Sequence, residues 1–498
     1  MRQFTLESKQ KNVLFGLMGL GAVCLVLSYF NDPVQNGQHL RFWTNLLQNA
    51  TFFTGIAFMS TFAIAATISM YAGWHTAFKR VWEAMSLFLP IGLVGILIVG
   101  IAGKMGVHSI YEWMDDAIVA KDKILTGKKG FLNMGFYLGS IGFGVVWYLF
   151  ARKFRQLSLQ QDDSSGDISY PWYTKMKGYG AIFLPIAGFS SAAAIWLWLM
   201  SIDPHWYSTM FAWYTTASWW VTTIAFTILL LLYLKSRGYY QEVTTDHLHD
   251  LGKFLFAFSI FWTYLWFSQY MLIWYANIGE ETIYFRQRMG EFPVLYYGNL
   301  IMNFFLPFLI LIRNDTKRKW GSLGFAAALI FFGHWWDFFQ MVKIGPYKRA
   351  LEHGSHADAA HGAANPTTQA LHGAAAENSA ATLHAVGEHA GHAPDALAAE
   401  HSVNAIQAAA QHGGQAAEAV KAAIETPATD ALAATNSSEF FHYAPDMTPG
   451  YGIPGLLEIG VMLGFGALFV WFVLKRLEST SLVPKHDPYL EETMHHHV

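Results

Sequence analysis

Ten apolar runs, each close to the length at which an α-helix crosses a bilayer, dominate this chain; they fall near residues 13–30, 46–71, 84–103, 131–150, 178–201, 211–234, 252–276, 296–312, 321–342 and 453–475. A helix rising about 1.5 Å per residue needs roughly 20 residues to cover about 30 Å of hydrocarbon. Surface helices of soluble domains interleave a polar face with an apolar one. IGLVGILIVGIA (91–102) and VTTIAFTILLLLYL (221–234) do not. Nor do they show the period-two alternation of a membrane barrel strand. Composition agrees, with 53% hydrophobic and only 13% charged residues among 498. The fold class expected is all-α and integral to the membrane, with about ten transmembrane helices.

Other classes are excluded in turn. The net charge is -3 and no basic stretch is interleaved with aromatics, so nucleic acid is not an expected partner. A single cysteine, Cys24, rules out intrachain disulfides, cysteine-ligated iron-sulfur clusters and CxxCH haem attachment. The run from Val13 to Phe30 follows Arg2, Lys9 and Lys11 as a signal peptide would, but no small-x-small cleavage site precedes Asn31-Asp32-Pro33. It is read as a retained first helix. An even number of spans places both termini on one side. Lys and Arg gather there, at Lys79, Arg80, Arg152, Lys153, Arg155, Lys235, Arg237, Lys317, Arg318, Lys319, Lys475 and Arg476 among others. The positive-inside rule makes that side the cytoplasm, with loop 104–130 and its five lysines as the exception.

Three segments follow: residues 1–349 with nine helices, an Ala/His-rich insertion at 350–435 on the periplasmic side, and 436–498 with the tenth helix and a cytoplasmic tail. The insertion carries His353, His356, His361, His372, His384, His389, His392, His401 and His412 at irregular spacing that fits no compact ligand set. Such composition does not form a packed core. Weak metal or proton buffering is the functional alternative, and the closing His495-His496-His497 is read as a solvated tail.

Ionisable groups at membrane depth are costly unless paired or hydrated, so each is a functional candidate. An outer group is expected. It comprises His334 and Asp337, at i,i+3 in GHWWDFFQMV; Asp203, His205 and Trp206 in the fifth-to-sixth connection; and Glu280, Glu281, Arg286 and Arg288 after the seventh span. Thr215, Ser218 and Thr222 form a hydroxyl stripe below, fit either to hold a water file or to pack and hydrogen-bond helices. An inner group is expected at His75, Lys79, Arg80 and Glu83, and at Asp246, His247, His249, Asp250 and Lys253. Imidazoles and shifted carboxylates suit proton transfer. Loop charges and a buried Asp-His tie between helices would give the same residues. A b-type haem usually needs two facing histidines at depth, and only His334 lies well inside a span, so no redox centre is expected here and no metal ligand set is assigned.

The strings AGWHTAFKRVWEAM (72–85), MSIDPHWYSTMFAWY (200–214), FSQYMLIWYANIGEETIYF (267–285) and WWDFFQMV (335–342) resemble the polysulfide-reductase-type (NrfD-like) membrane subunits of alternative complex III, a bacterial quinol:cytochrome c oxidoreductase. The match runs over most of the helical portion and is closest to the F-type of that complex's two related ten-helix subunits. The resemblance implies a bacterial inner-membrane location and two four-helix bundles with flanking helices. It further implies partners in a multihaem cytochrome c, an iron-sulfur protein and a sister membrane subunit, with lipids and a terminal oxidase beyond them. Haem c and iron-sulfur clusters would then lie in the partners, with quinol or menaquinol as the electron donor. Residues matching the family's polar motifs are His75, Glu83, Asp203, His205, Glu280, Glu281 and Asp337. Gly279 departs from it, standing where Pro is expected before Glu-Glu. The function implied is anchoring the redox subunits and providing a proton path through His75, Glu83, Asp203, His205, Asp246, His247, Glu280, Glu281, His334 and Asp337. Two alternatives stay open. One is a quinol-binding subunit of the sister C type, with His205, Trp206, His334 or Asp337 at the ring. The other is an independent secondary transporter.

Overall fold

The computed structural model describes residues 3–34, 38–164, 169–363 and 445–495. The chain is 80% helical and no strand occurs among the described residues, so the architecture is that of an all-α integral membrane protein. Among the described residues nine helices are long and apolar enough to cross a membrane: α1 (Ser8–Phe30), α2 (Leu40–Ser69), α3 (Thr76–Lys104), α4 (Lys123–Asp163), α5 (Pro171–Ile202), α6 (Thr209–Ser236), α7 (Thr245–Ala276), α8 (Pro293–Leu311) and, after residue 445, α10 (Leu456–Glu478). The remaining expected span lies in a longer helix, α9 (Trp320–Ala363), which is not among those nine. The reason is chemical. Around the apolar core of α9 stand His334, Asp337, Gln340 and Lys343, all four buried by protein. A span faced by other helices tolerates polarity that lipid would not.

Helices α2 to α5 pack as one four-helix bundle and α6 to α9 as a second, joined where α2 meets α6. That junction is closed by Gly55, where a β-carbon would collide with the Trp219 indole. Buried indoles fill both bundles, and most find a partner for their N–H. Trp147 donates to Ser190 at 2.8 Å, Trp198 to Ser140 at 2.7 Å, Trp82 to Thr227 at 3.0 Å and Trp335 to Asn49 at 3.1 Å. The third helix of each bundle contains one π-turn, Gly135–Gly139 in α4 and Ile301–Phe305 in α8. Flanking the bundles, α1 and α10 pack antiparallel in close contact. Gly21 and Gly464 meet backbone to backbone there, and a β-carbon on either would strike the other's Cα. This is the small-residue packing that membrane helices use in place of a hydrophobic drive.

Gln3 and Leu6 reach Glu478 at the end of α10, so both ends of the described chain share one face, as expected. We call it the terminal face. The chain divides into one compact unit, Met1–Lys348 with Pro445–Val498, and a second, Arg349–Ala444. The boundary expected at 436 lies outside the described residues. The Ala/His-rich insertion, from residue 364 onward, lies outside the described residues, as do His496 and His497.

Candidate functional site

The expected outer group divides into two places. Asp203 lies against Gly345, with Oδ1 where a β-carbon on that glycine would stand. Eight residues separate Gly345 from Asp337 along α9, about 12 Å of helix. His334 and Asp337 therefore sit far deeper than Asp203 and His205.

At the outer level the residues form a rim. His205 is exposed and pairs with Asp122 at 2.5 Å. Asp122 also caps α4, accepting from the N–H groups of Ile124 (2.7 Å) and Leu125 (3.1 Å). The His205 hydrogen bond and then these N–H groups hold its carboxyl below the usual range. Trp206 stacks on Tyr284 at 3.9 Å, and the Arg288 guanidinium lies 3.3 Å over the other partner of that stack and 3.7 Å from Asp203. Burial pushes the Tyr284 phenol up to about 12. Glu280 and Glu281 occupy the first turn of the short helix Gly279–Gly290, where carboxylates suit the helix dipole; Glu280 is exposed and Arg286 likewise.

The terminal-face group is an ion-pair network. Glu83 is fully buried between Arg80 (2.7 Å) and Arg155 (3.0 Å), and Arg80 also pairs with Asp162. Lys79 pairs with Asp487 at 2.9 Å. The C-terminal tail completes the network. Thr480 accepts from Arg155, and Thr493 bridges the ring of His247 (2.9 Å) and the carbonyl of Trp74 (3.0 Å). His75 stacks on Trp82 and meets Thr67 at 3.0 Å. Burial first, and Lys79 second, lower its pKa to about 3, so the ring is neutral at ordinary pH. Asp246 pairs with Arg318 at 2.8 Å, and Asp250 with Lys253 at 2.5 Å; His249 is buried beside them.

Asp337 differs from all of these. Its side chain is fully buried in the second bundle, and Oδ1 accepts from Asn299 of α8 (2.8 Å), from Gln340 (2.8 Å) and from the phenol of Tyr214 on α6. Every donor is neutral. Its other oxygen, Oδ2, has no hydrogen-bond partner among the described residues. One turn back along α9, His334 Nδ1 meets Ser218 at 2.8 Å while Nε2 is unpartnered, with the edge of Trp262 packed against the ring. Asn303 donates to Asn299 at 2.6 Å, and its own Oδ1 is unpartnered, as is Oε1 of Gln340. Three helices of one bundle, α6, α8 and α9, thus meet at a carboxyl held without a cation, and Trp262 of α7 closes the adjoining His334. Of the hydroxyl stripe only Ser218 enters this site; Thr215 and Thr222 return their protons to carbonyls of their own helix, at 2.8 Å and 2.7 Å.

Farther along α9, Lys343 lies 3.5 Å from Glu458 of α10. Arg41 grips the same carboxylate with Nε at 2.8 Å and Nη2 at 2.9 Å, and Asn45 donates to it at 3.1 Å. His334, Asp337, Gln340 and Lys343 recur every three residues. They make a polar stripe about 14 Å long that winds about half a turn around α9 and ends on Glu458.

Sequence reading missed Tyr214, Asn299, Asn303, Gln340, Lys343, Glu458, Arg41 and Asn45. Glu458 carried a usable signal, as a carboxylate inside the predicted span 453–475. The amides did not, since uncharged polar residues are ordinary in membrane helices. No protein-family model matches the chain, and no curated protein sequence matches it. Among the described residues no group of three or more His, Cys, Asp or Glu could hold a metal ion.

Proposed function

We propose that this chain is a non-redox membrane subunit of a quinol-oxidising respiratory complex of the alternative complex III type, in which the Asp337 site passes protons. In this reading haem c and iron-sulfur centres belong to partner subunits. The terminal face is the cytoplasmic side of a bacterial inner membrane. The observation that carries the proton role is the environment of Asp337: buried at membrane depth, held by three neutral donors, and bound to no cation. A carboxyl so placed gains and loses a proton without breaking an ion pair. The stripe from His334 to Lys343 and the unpartnered atoms of Asp337, His334, Asn303 and Gln340 supply the polar partners that buried water requires. A carrier also needs a positional series of such groups, which α9 provides.

The quinol-binding alternative is less well supported by the cavities. One, of about 500 Å³, lies among α2, α5, α6 and α7, and another, of about 530 Å³, among α1, α6, α9 and α10. Neither is lined by His205, Trp206, His334 or Asp337.

The test is Asp337→Asn in the intact complex, with quinol oxidation and proton movement followed in reconstituted vesicles. Asparagine keeps the size and the acceptor oxygen but carries no exchangeable charge. The expected result is a normally assembled complex whose coupled proton movement falls about a hundredfold, the low end of what a positioned proton-transfer group contributes. Unchanged proton stoichiometry and turnover would refute the role.

A further inference from the structure

The cavity of about 530 Å³ beside α1 has a chemistry of its own. Its shaft is apolar, lined by Leu14 and Leu17 of α1, Phe226 and Leu230 of α6, and Met462 and Leu463 of α10. On α10 the lining runs from Met462 to Leu474, twelve residues or about 18 Å of helix. That depth is close to one leaflet, half of roughly 30 Å. The mouth lies on the terminal face, where Lys9 stands in the first turn of α1 and Arg237 caps the end of α6. Both cations are exposed, and neither forms an ion pair with an acid among the described residues. One carboxylate, Glu7, and the amide of Gln10 share the rim, so the mouth keeps a net positive charge.

We propose that this groove is a binding site for one anionic diacyl phospholipid, with the phosphate between Lys9 and Arg237 and an acyl chain laid along α10. A shaft of one-leaflet depth with cations at its interfacial end matches the two halves of such a molecule. Basic clefts between membrane helices are the usual form of anionic headgroup sites. The lipid would join α1 to α6 and α9, helices that flank and build the second bundle, so it acts as a strut between them. The inference stands apart from the respiratory reading, because it invokes no residue of the proton path.

The experiment uses the full chain purified in detergent with whatever subunits accompany it, stripped of lipid and then titrated with phosphatidylglycerol or phosphatidylcholine of identical acyl chains. Thermal unfolding and lipid retention are read together. Phosphatidylglycerol should raise the unfolding temperature and be retained about thirtyfold better than phosphatidylcholine, the selectivity expected of two basic contacts. The surface double variant Lys9→Gln/Arg237→Gln should fold normally and lose that selectivity. Leu463→Trp, at a lining side chain that is 41% exposed, should block the shaft and reduce retention of both lipids. Equal retention of the two lipids by the parent protein, or full selectivity in the double variant, would overturn the proposal.

Discussion

Glu458 and Asp337 are both fully buried carboxylates on neighbouring membrane helices, yet their surroundings are opposite. Glu458 receives two nitrogens of Arg41, the amide of Asn45 and the ammonium of Lys343. Asp337 receives a phenol and two amides. The first is locked as an anion by its cations, and losing its charge would strand them. The second has nothing to strand. The difference teaches that burial alone does not settle whether an acid is locked as an anion; the charge of its donors decides.

The largest effect should come from the locked site. Glu458→Gln leaves Arg41 and Lys343 buried without their counter-charge, and breaking a buried pair from one side costs about 3–5 kcal/mol. Thermal unfolding of the variant should show a severe loss of stability, and poor accumulation in the membrane. Stability equal to the parent's would mean that Glu458 is not the anchor of this network.

The contrast can also be turned around. Gln340→Lys places an ammonium where a neutral amide now donates to Asp337, which recreates the Glu458 arrangement in the second bundle. The protein should still fold, since the new cation has a partner, but proton movement should fall as far as in Asp337→Asn. A folded variant with full activity would show that a counter-charge does not lock this acid.

A milder effect is expected at His75 on the terminal face. Its folded pKa of about 3 lies below the ordinary 6.5 because burial disfavours the imidazolium. Above pH 6.5 the ring is neutral whether the chain is folded or not, and its contribution to stability is complete. As pH falls from 6.5 toward 3 the unfolded chain takes up a proton that the folded one refuses, and stability drops across that window. His75→Phe keeps the stack on Trp82 and removes the titration. Unfolding temperatures at pH 4.5 and 7.5 should therefore differ less in the variant than in the parent, and an unchanged difference would discount the role of burial.

How much of this was legible beforehand follows from what each residue must satisfy. Spans are written in composition, because lipid demands apolar side chains along a whole helix. Nine were visible on that ground. The run 321–342 was read on the same ground, although His334, Asp337 and Gln340 interrupt it and the helix that holds it is not among the nine. Asp337 and His334 stood out as charges at depth. Their depth relative to Asp203 did not, because loop position in sequence says little about how far a helix extends past its neighbour. Arg41 gave no signal as a partner for Glu458, since the two are 417 residues apart and only packing of α2 beside α10 joins them. His205 misled for the opposite reason. A histidine beside Asp203 in a polar connection has the composition of a site, but the structure puts it on the exposed rim.

The rim supplies the smallest expected effect. His205→Ala removes the hydrogen bond with Asp122, but both side chains reach solvent, which competes for it. Asp122 keeps its second task, capping α4 through Ile124 and Leu125, whether or not the imidazole is present. Stability and proton movement should both match the parent within error. Asp122→Ala should be the more damaging member of the pair, because it removes the cap as well. If His205→Ala instead lowered proton movement while Asp122→Ala did not, the imidazole would be acting on its own account, and the proton route would extend from Asp337 to the rim.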